Sequence, residues 1–251
     1  MLFRSTGHLT EIRRNSGRIV RACAEIRDYS RISYSPTLDL PQENMPLIQC
    51  ADGPDQVQTL ETMMHRFMND ENVVAIEDVQ VVAARNDKTP VSCRVLNKTL
   101  QDILNPSGQK INGNPFRVGD KIVCLKNGYY QDRDDRAITQ FVANGELGRV
   151  TSLAYGNMTV RLSDPVRDIA VIHAPIQDNE KDIADSDDEQ RGAVGDWDLG
   201  YCLTVHRSQG SQWPFVIVML DSAGHSVVSR NWIYTAISRA QIATFVKIGR
   251  A

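Results

Sequence analysis

The sequence lacks several features that would decide its class at once. Its 251 residues contain no apolar run of about 18, the minimum for a membrane-spanning helix, and residues 1–17 lack the apolar core of a signal peptide. No two cysteines form a C-x-x-C pair, and no histidines, cysteines and carboxylates cluster with metal-ligand spacing. These absences exclude a membrane protein, a disulfide-stapled scaffold and a zinc knuckle. They favour a cytoplasmic protein that contributes no metal site of its own.

Neither sign of charge dominates the composition. Lysine and arginine number 28 and aspartate and glutamate 31, which gives a formal net charge of −3. Such a balance excludes nucleic-acid binding by bulk charge alone, so a nucleic-acid site must be a local patch. Residues 177–198 hold nine acids against two basic residues and have little periodic apolar content. They predict an acidic, flexible loop at 177–195.

The two ends of the chain alternate between helix and strand patterns. Apolar residues at helical spacing predict helices, and short runs rich in β-branched residues predict buried strands. The predicted helices span 14–28, 55–68, 91–104 and 229–241. The predicted strands span 46–50, 79–83, 199–206, 214–220 and 243–249. Buried parallel strands separated by helices favour an α/β fold, here as one discontinuous domain made of 1–110 and 196–251.

The middle of the chain has a different character. Glycine, asparagine and proline cluster at 105–119, and five short strand-like runs follow. These runs are DKIVCL, AITQFVA, GRVTSLA, NMTVRLS and DIAVIHA. Short strands separated by turn residues such as Asn144-Gly145 are typical of a small antiparallel barrel. We therefore expect a barrel at 111–176, inserted between the two halves of the α/β domain.

Three short segments carry most of the polar chemistry. TVHRSQGSQW (204–213) follows a buried strand, and ligands of open α/β sheets bind at the carboxyl ends of the strands. YTAISRA (234–240) places Arg239 at the end of a helix, where a cation either caps the helix or pairs with phosphate. LTEIRRNSGRIV (9–20) sets Arg14 before an amphipathic helix. Taken singly, the segments also fit a polar loop, a helix cap and a solvated basic face.

Together the three segments resemble motifs V, VI and IV of superfamily 1 helicases of the RecD-like branch. TVHRSQGSQW is similar to the motif V pattern T-x-H-[KR]-S-Q-G-[ST]-[EQ], and YTAISRA to the motif VI pattern Y-T-A-[IV]-[ST]-R-A. FRVGDKIVCLKN and FVANGELGRVTSL resemble the small barrel inserted into the second motor domain of this branch. The resemblance suggests the C-terminal half of a RecD-like or UvrD-like superfamily 1B DNA helicase. It implies a RecA-like parallel sheet flanked by helices, with an inserted Src-homology-3-like β-barrel.

The resemblance implies a role in ATP hydrolysis for four residues. Arg239 matches the motif VI arginine, an arginine finger, and Arg14 matches the motif IV arginine that reaches the γ-phosphate. These two are the expected catalytic residues, because positive charge stabilises the charge that builds up during phosphoryl transfer. Gly210 and Gln212 are the other expected nucleotide contacts, and Gln212 stands where the family often has a glutamate touching the ribose. Motif IV usually reads R-Q, whereas Asn15 follows Arg14 here.

The resemblance also implies contacts with single-stranded DNA and movement from 5′ to 3′. The motif V residues expected on the DNA side are Thr204, His206, Ser208 and Gln209. Single-strand binding needs basic groove residues and stacking aromatics, and the barrel would lie on the DNA path. The contacts expected from the barrel are Lys126, Tyr129 and Tyr130. Tyrosines at a barrel rim are as often structural as functional, so both readings stay open for them.

One element of a helicase is missing from the sequence. A P-loop, G-x-x-x-x-G-K-[ST], cradles the phosphates and places Mg²⁺, but the chain contains no Gly-Lys dipeptide. Asp188-Glu189 superficially suggests a Walker B pair, yet no apolar strand precedes it. We therefore expect ATP and Mg²⁺ to bind only when a P-loop-containing first motor domain is present. The chain alone is expected to be inactive.

A second hypothesis belongs to a different class of protein. The same fold could serve as a non-catalytic module that binds single-stranded DNA or a partner protein. Arg14 and Arg239 favour the helicase half, because a pure binding module has no use for two γ-phosphate arginines. A metal nuclease is a third reading, but the sequence has no clustered carboxylate and histidine motif to support it.

Overall fold

The computed structural model describes residues 16–29, 31–69, 75–172, 194–221 and 226–249. Within these residues the chain forms one parallel and one antiparallel sheet, and no helix there is long and apolar enough to cross a membrane. The predicted motif IV residues Arg14 and Asn15 lie outside the described residues. So does the predicted acidic loop 177–195, apart from Val194 and Gly195, which begin a short 3₁₀ turn.

The parallel sheet has five strands, numbered here along the whole chain. They are β1 (Leu47–Cys50), β2 (Val79–Ala83), β10 (Cys202–Thr204), β11 (Trp213–Leu220) and β12 (Ala240–Gly249). Their order is β1-β12-β11-β2-β10, and every neighbouring pair is parallel. The strand expected at 199–206 is shorter in the structure, since only Cys202–Thr204 pairs with β2. The parallel arrangement confirms the predicted α/β class.

Four helices cover both faces of this sheet. They are α1 (Gly17–Tyr29), α2 (Gly53–Met68), α3 (Cys93–Leu104) and α4 (Arg230–Ile237). Successive residues of β11 point to opposite faces. Val216 belongs to the core built with α1 and α4, whereas Ile217 belongs to the core built with α2 and α3. Asp52 and Ser229 cap α2 and α4 by accepting a backbone N–H of the first turn, which fixes where these helices begin.

The antiparallel sheet has seven strands, two more than the sequence predicts. They are β3 (Lys121–Cys124), β4 (Gly128–Asp132), β5 (Thr139–Val142), β6 (Leu147–Ala154), β7 (Asn157–Ser163), β8 (Val166–Ile172) and β9 (Trp197–Leu199). Their order is β5-β4-β8-β7-β6-β3-β9, and the unpredicted strands are β4 and β9. β9 pairs with β3 although it lies within 196–251, the segment assigned to the α/β domain. Among the described residues β5 and β9 do not pair with each other, so closure into a barrel stays a prediction.

A buried polar joint connects the antiparallel sheet to the parallel one. Asp120, fully buried just before β3, accepts hydrogen bonds from Gln101 Nε2 (2.6 Å) and Asn105 Nδ2 (2.7 Å) at the end of α3. It also accepts from Tyr201 Oη (3.0 Å) and from the backbone N of Arg117 (2.7 Å). Tyr201 stands directly before β10. One carboxylate therefore ties together the points where the chain leaves the parallel sheet and returns to it.

Candidate nucleotide and nucleic-acid site

Arg239 lies where β12 begins, beside the segment that leads into β11. The backbone N of Trp213 donates to the Arg239 carbonyl (3.0 Å), which joins the two strands at their amino-terminal ends. The Arg239 guanidinium donates to the carbonyls of Thr235 (3.1 Å) and Ser211 (3.4 Å). These bonds hold a half-buried cation against residues 210–212.

The motif V segment runs between two edges of the parallel sheet. Thr204 ends β10, level with the end of β2, where the sequence predicts polar groups at the carboxyl end of a buried strand. Residues 205–212 then cross in turns to the start of β11. Gly210 supports this crossing with a φ of +90°, which a glycine adopts without strain. Gly210 and Gln212 therefore lie at the amino-terminal edge.

Helix α1 packs close to Arg239. Cys23 on α1 is buried, and burial raises the pKa of its thiol to about 11, an effect that the charge of Arg239 opposes. Charges shift a pKa in this way only when they are near the titrating group. Arg14 precedes α1 in the sequence but lies outside the described residues. Its contact with the γ-phosphate stays a prediction.

A cavity of about 550 Å³ lies beside Gln212, between the two sheets. Its walls come from 145–149, 163–164 and 210–214, together with Glu77, Asp78 and Lys121. The Gln212 amide Nε2 is buried and has no hydrogen-bond partner within the described residues. An unpaired buried donor costs about 1–3 kcal/mol, so an acceptor on a ligand would be favourable here. The ribose contact that the resemblance implies for Gln212 stays a prediction.

Charged residues of both signs line this cavity. Lys121 is 4% exposed, donates to the Val79 carbonyl at 3.2 Å, and lies 5.8 Å from the centre of the Trp213 ring. Burial lowers the pKa of Lys121 to about 8, and the nearby Glu77 carboxylate opposes that shift. Arg149 on β6 forms an ion pair with Glu77, which links the two sheets. No local pattern in the sequence marks these charged residues, because they come from distant segments of the chain.

The motif V residues expected on the DNA side differ in accessibility. Thr204 is partly exposed, and His206 and Gln209 are exposed. Ser208 is fully buried, and its hydroxyl donates to the Val205 carbonyl at 2.8 Å. In this conformation Ser208 closes the turn instead of presenting its hydroxyl. The structure therefore does not support the direct DNA contact expected of Ser208.

Two neighbouring tyrosines on β4 point to opposite faces of the antiparallel sheet. Tyr129 is 48% exposed, whereas Tyr130 is 2% exposed and packs edge-on against Trp197 in the core, with ring centres 5.7 Å apart. Successive side chains of a strand alternate between faces, so only one of the two tyrosines is able to reach DNA. The base contact expected of Tyr130 is not supported. The partner missed by the sequence analysis is Phe141 on β5, 50% exposed, whose ring centre lies 5.5 Å from that of Tyr129.

The β5–β6 turn, which follows the strand that carries Phe141, packs beside the motif V turn. A Cβ atom on Gly145 would lie 3.5 Å from the Arg207 carbonyl oxygen, so the β5–β6 turn packs beside residues 205–212. The backbone N of Asn144 donates to Asn127 Oδ1 (2.8 Å), which holds the segment carrying the exposed Lys126 against the same turn. We call this surface the exposed track. Its residues are Thr204, His206, Gln209, Lys126, Tyr129 and Phe141.

The fold agrees with the class that the resemblance implies. A parallel sheet between helices and a separate antiparallel sheet fit an α/β, RecA-like fold. A family model described as the UvrD-like helicase C-terminal domain matches residues 199–246. This match covers both motif V and motif VI.

Two known proteins extend the match beyond that segment. The ATP-dependent RecD2 DNA helicase of Deinococcus radiodurans is 32% identical over 157 residues, which are 61% of this chain and 18% of that protein. The crystal structure of Bacteroides Pif1 bound to ssDNA is similar in fold, with a TM-score of 0.50 at 17% identity over 94% of this chain and 50% of that one. These findings confirm the resemblance to the C-terminal half of a RecD-like or UvrD-like helicase. The chain spans half or less of the length of either protein.

Proposed function

We propose that this chain is the C-terminal motor half of an ATP-dependent DNA helicase that moves from 5′ to 3′. It supplies an arginine finger and single-stranded-DNA contacts to an ATP site that a P-loop-containing first motor domain completes. The observation that carries the proposal is the placement of Arg239 against residues 210–212, beside the unpaired Gln212 amide. The proposal places the protein in the cytoplasm.

The proposal assigns each part of the chain a task. Residues 1–110 and 196–251 form the motor domain, 111–176 close into a small Src-homology-3-like barrel, and 177–195 form an acidic flexible loop. The Asp120 joint supports a barrel that moves with the motor domain, because its four hydrogen bonds reach α3, β10 and the start of β3. A change of position at the ATP site would then reach the DNA-facing strands.

At the ATP site, Arg239 and Arg14 act on the phosphates, while Gly210 and Gln212 contact the nucleotide. An arginine finger stabilises the charge of the transferring phosphoryl group and is worth about 10³- to 10⁵-fold in rate. Mg²⁺, placed by the P-loop domain, would neutralise the phosphate oxygens on the opposite side. Within the described residues no group of three or more histidine, cysteine or carboxylate side chains could hold a metal ion. This chain therefore provides one wall of the site.

At the DNA site, the exposed track carries the single strand. Thr204, His206 and Gln209 offer hydrogen bonds to phosphates, and Lys126 offers charge. Tyr129 and Phe141 offer accessible aromatic surfaces on which bases are able to stack. Such stacking is worth about 1–3 kcal/mol per base. Stacking tolerates any base, which suits a motor that moves along DNA of arbitrary sequence.

The exposed aromatic pair also favours the second candidate function, a non-catalytic module for single-stranded DNA. Tyr129 and Phe141 are half exposed and belong to neighbouring strands, so they need no nucleotide to be in position. Under this alternative the chain would bind DNA with the same affinity whether or not a P-loop domain is present. Joining such a domain would restore no ATP hydrolysis.

A DNA-stimulated ATPase assay separates the two functions. The chain alone, the chain joined to a P-loop-containing first motor domain, and that first domain alone are compared with and without single-stranded DNA. We expect hydrolysis well above that of the first domain only in the joined form, and stimulation by DNA. Activity of the lone chain would contradict the proposed division of the site. If the joined form is folded and hydrolyses no ATP, the result would favour the binding module.

A further inference from the structure

Two cysteines lie at the stem of the antiparallel insertion. Cys93 is the first residue of α3 and Cys202 the first residue of β10. Their sulfur atoms are 3.7 Å apart, and the Cys202 thiol donates to the Cys93 sulfur. Both side chains are buried, 5% and 1% exposed. The chain between them contains the whole antiparallel sheet, so the pair joins the places where the chain departs and returns.

The side chain of Asn97 holds these two elements in register. Asn97 follows Cys93 by about one helical turn on α3, and its Oδ1 accepts a hydrogen bond from the backbone N of Cys202 (2.7 Å). Its Nδ2 donates to the carbonyls of Cys202 (3.1 Å) and Leu199 (2.9 Å). These bonds fix the backbone at Cys202 relative to α3. The Asn97 bonds therefore hold the backbone that carries the two neighbouring sulfurs.

We propose that Cys93 and Cys202 are a redox modification site, and that a peroxide converts them to a disulfide that latches the stem of the insertion. The Cys93 sulfur, which accepts the hydrogen bond, attacks one oxygen of hydrogen peroxide and becomes a sulfenic acid as the first water leaves. The Cys202 sulfur attacks that sulfenic sulfur and loses its proton, and the hydroxyl leaves as the second water. Two thiols and one hydrogen peroxide give one disulfide and two waters. A small thiol reductant reverses the bond.

The remaining three cysteines provide a contrast within the same chain. The structure describes all five cysteines and records a sulfur–sulfur contact for Cys93 and Cys202 alone. Cys23 is equally buried and packs between α1 and the sheet; burial raises the pKa of its thiol to about 11 and raises the pKa of Cys202 as well, so the difference between them is the neighbouring sulfur. Cys23 therefore serves as a matched buried cysteine without a partner.

The latch would act on the motif V turn through β10. β10 is a three-residue strand at the edge of the parallel sheet, paired with β2 within the described residues. It ends at Thr204, and residues 205–212 follow directly. A covalent bond at Cys202 would hold this strand to α3. It would also close a loop of about 100 residues, which lowers the entropy of the unfolded chain. The oxidised chain should melt at a higher temperature and exchange amide hydrogens more slowly at 202–212.

Peroxide treatment followed by non-reducing peptide mapping tests the latch. We expect an intramolecular cross-link between the peptides that carry Cys93 and Cys202, with the intact mass lower by two hydrogen atoms. A rise in Tm and slower hydrogen exchange at 202–212 should accompany the cross-link, and dithiothreitol should reverse all three. Cys202→Ser should abolish these changes. Cys23→Ser should keep them.

Several results would overturn the latch. These are cross-links between other cysteines or between two chains, oxidation of either sulfur beyond the sulfenic acid without a cross-link, and unchanged thiols under peroxide that fully oxidises a free dithiol. A cross-link without slower exchange at 202–212 would also contradict it. If Cys202→Ser does not fold, Cys93→Ser provides the same comparison, and the peptide map of the unsubstituted chain decides independently of either variant. The latch does not depend on the proposed helicase function.

Discussion

The two sheets present their accessible chemistry in different ways. Helices cover both faces of the parallel sheet, so its accessible polar groups lie in the segments next to the strands, as His206 and the half-buried Arg239 do. The antiparallel sheet packs Tyr130 into its core and leaves Tyr129 and Phe141 exposed on its strands. On a sheet covered by helices, the residues of a binding site are therefore identified from motifs in the loops. On a sheet with one exposed face, they are identified from the alternation of side chains along the strands.

The largest effect should come from breaking the joint between the two sheets. Asp120→Ala removes the buried acceptor that Tyr201, Gln101, Asn105 and the backbone N of Arg117 share. We expect the free energy of unfolding to fall by about 3–5 kcal/mol. Urea denaturation followed by circular dichroism measures this loss. Tyr155→Ser, at a side chain that is 94% exposed on the β6–β7 turn, is the control and should change stability by less than about 0.5 kcal/mol.

If Asp120→Ala unfolds at the same urea concentration as the unsubstituted chain, the joint is not a stabilising connection. A second, smaller change sharpens the result. Tyr201→Phe removes one donor from Asp120 while the ring stays in place, so it should cost about 1 kcal/mol. A loss as large as that of Asp120→Ala would mean that the Tyr201 hydroxyl accounts for most of the stabilisation by the joint.

The next largest effect distinguishes the exposed face of the antiparallel sheet from its buried face. Replacing both Tyr129 and Phe141 with alanine should weaken single-stranded-DNA affinity about 10-fold or more, because two accessible rings are lost. The same double variant should change the free energy of unfolding by no more than about 1 kcal/mol, since both rings are half exposed. Fluorescence anisotropy at low salt and urea denaturation measure the two quantities.

Tyr130→Ala is the matched variant for the buried face. It should destabilise the chain by about 3–5 kcal/mol through a cavity next to Trp197. The more conservative Tyr130→Phe should stay folded and bind DNA normally. Unchanged DNA affinity in the Tyr129 and Phe141 double variant, or a clear loss of affinity in Tyr130→Phe, would reverse the assignment of the two faces.

The smallest effect concerns buried lysines, one in each sheet. Lys247 on β12 is fully buried beside Gln56, and its ammonium has no hydrogen-bond partner among the residues described. Burial lowers its pKa from 10.5 to about 8, so the unfolded chain binds the proton more tightly than the folded chain does. The contribution of Lys247 to stability should therefore rise as the pH increases from about 8 to 10.5, while buried thiols such as Cys23, whose pKa burial raises, contribute in the opposite direction. Lys247→Met should stabilise the chain at pH 7 by about 1–2 kcal/mol and reduce that rise.

Lys121 on β3 provides the comparison, because burial lowers its pKa to about 8 as well. Unlike Lys247, it donates to the Val79 carbonyl and lies over the Trp213 ring, so Lys121→Met loses contacts as well as a buried charge. We expect a smaller gain, or none, at pH 7. If each lysine variant shows the same change of stability between pH 8 and 10.5 as the unsubstituted chain, both assignments are contradicted.

The sequence predicted the parallel part of the fold because its signals are local. Apolar runs such as VQVVA and PFVIVML mark buried strands, and α1 to α4 follow helical spacing of apolar residues. β4 and β9 were not predicted because their sequences carry no such local signal. GYYQD is half polar and WDL has only three residues, so these strands form because their neighbours supply the pairing.

The same contrast holds for the candidate site. Arg239 and Gln212 could be found from sequence because each belongs to a contiguous motif. Their place at the amino-terminal edge could not, since it depends on how residues 205–212 cross the sheet. Phe141 was missed and Tyr130 chosen, although alternation along a strand would have separated Tyr129 from Tyr130. The cavity beside Gln212 combines residues from distant parts of the chain, so no local pattern marks it.

The most direct test of the account is the ATPase rate of the joined form after replacement of Arg239. Arg239→Ala should lower kcat about 10³-fold or more, and Arg239→Lys should recover little because an ammonium lacks the planar fork of a guanidinium. Both variants should bind single-stranded DNA normally. Arg230→Ala, at an exposed cation in the first turn of α4, the helix that precedes Arg239, is the control and should keep its activity. Normal hydrolysis by Arg239→Ala would contradict the assignment of this chain as the half that supplies the arginine finger.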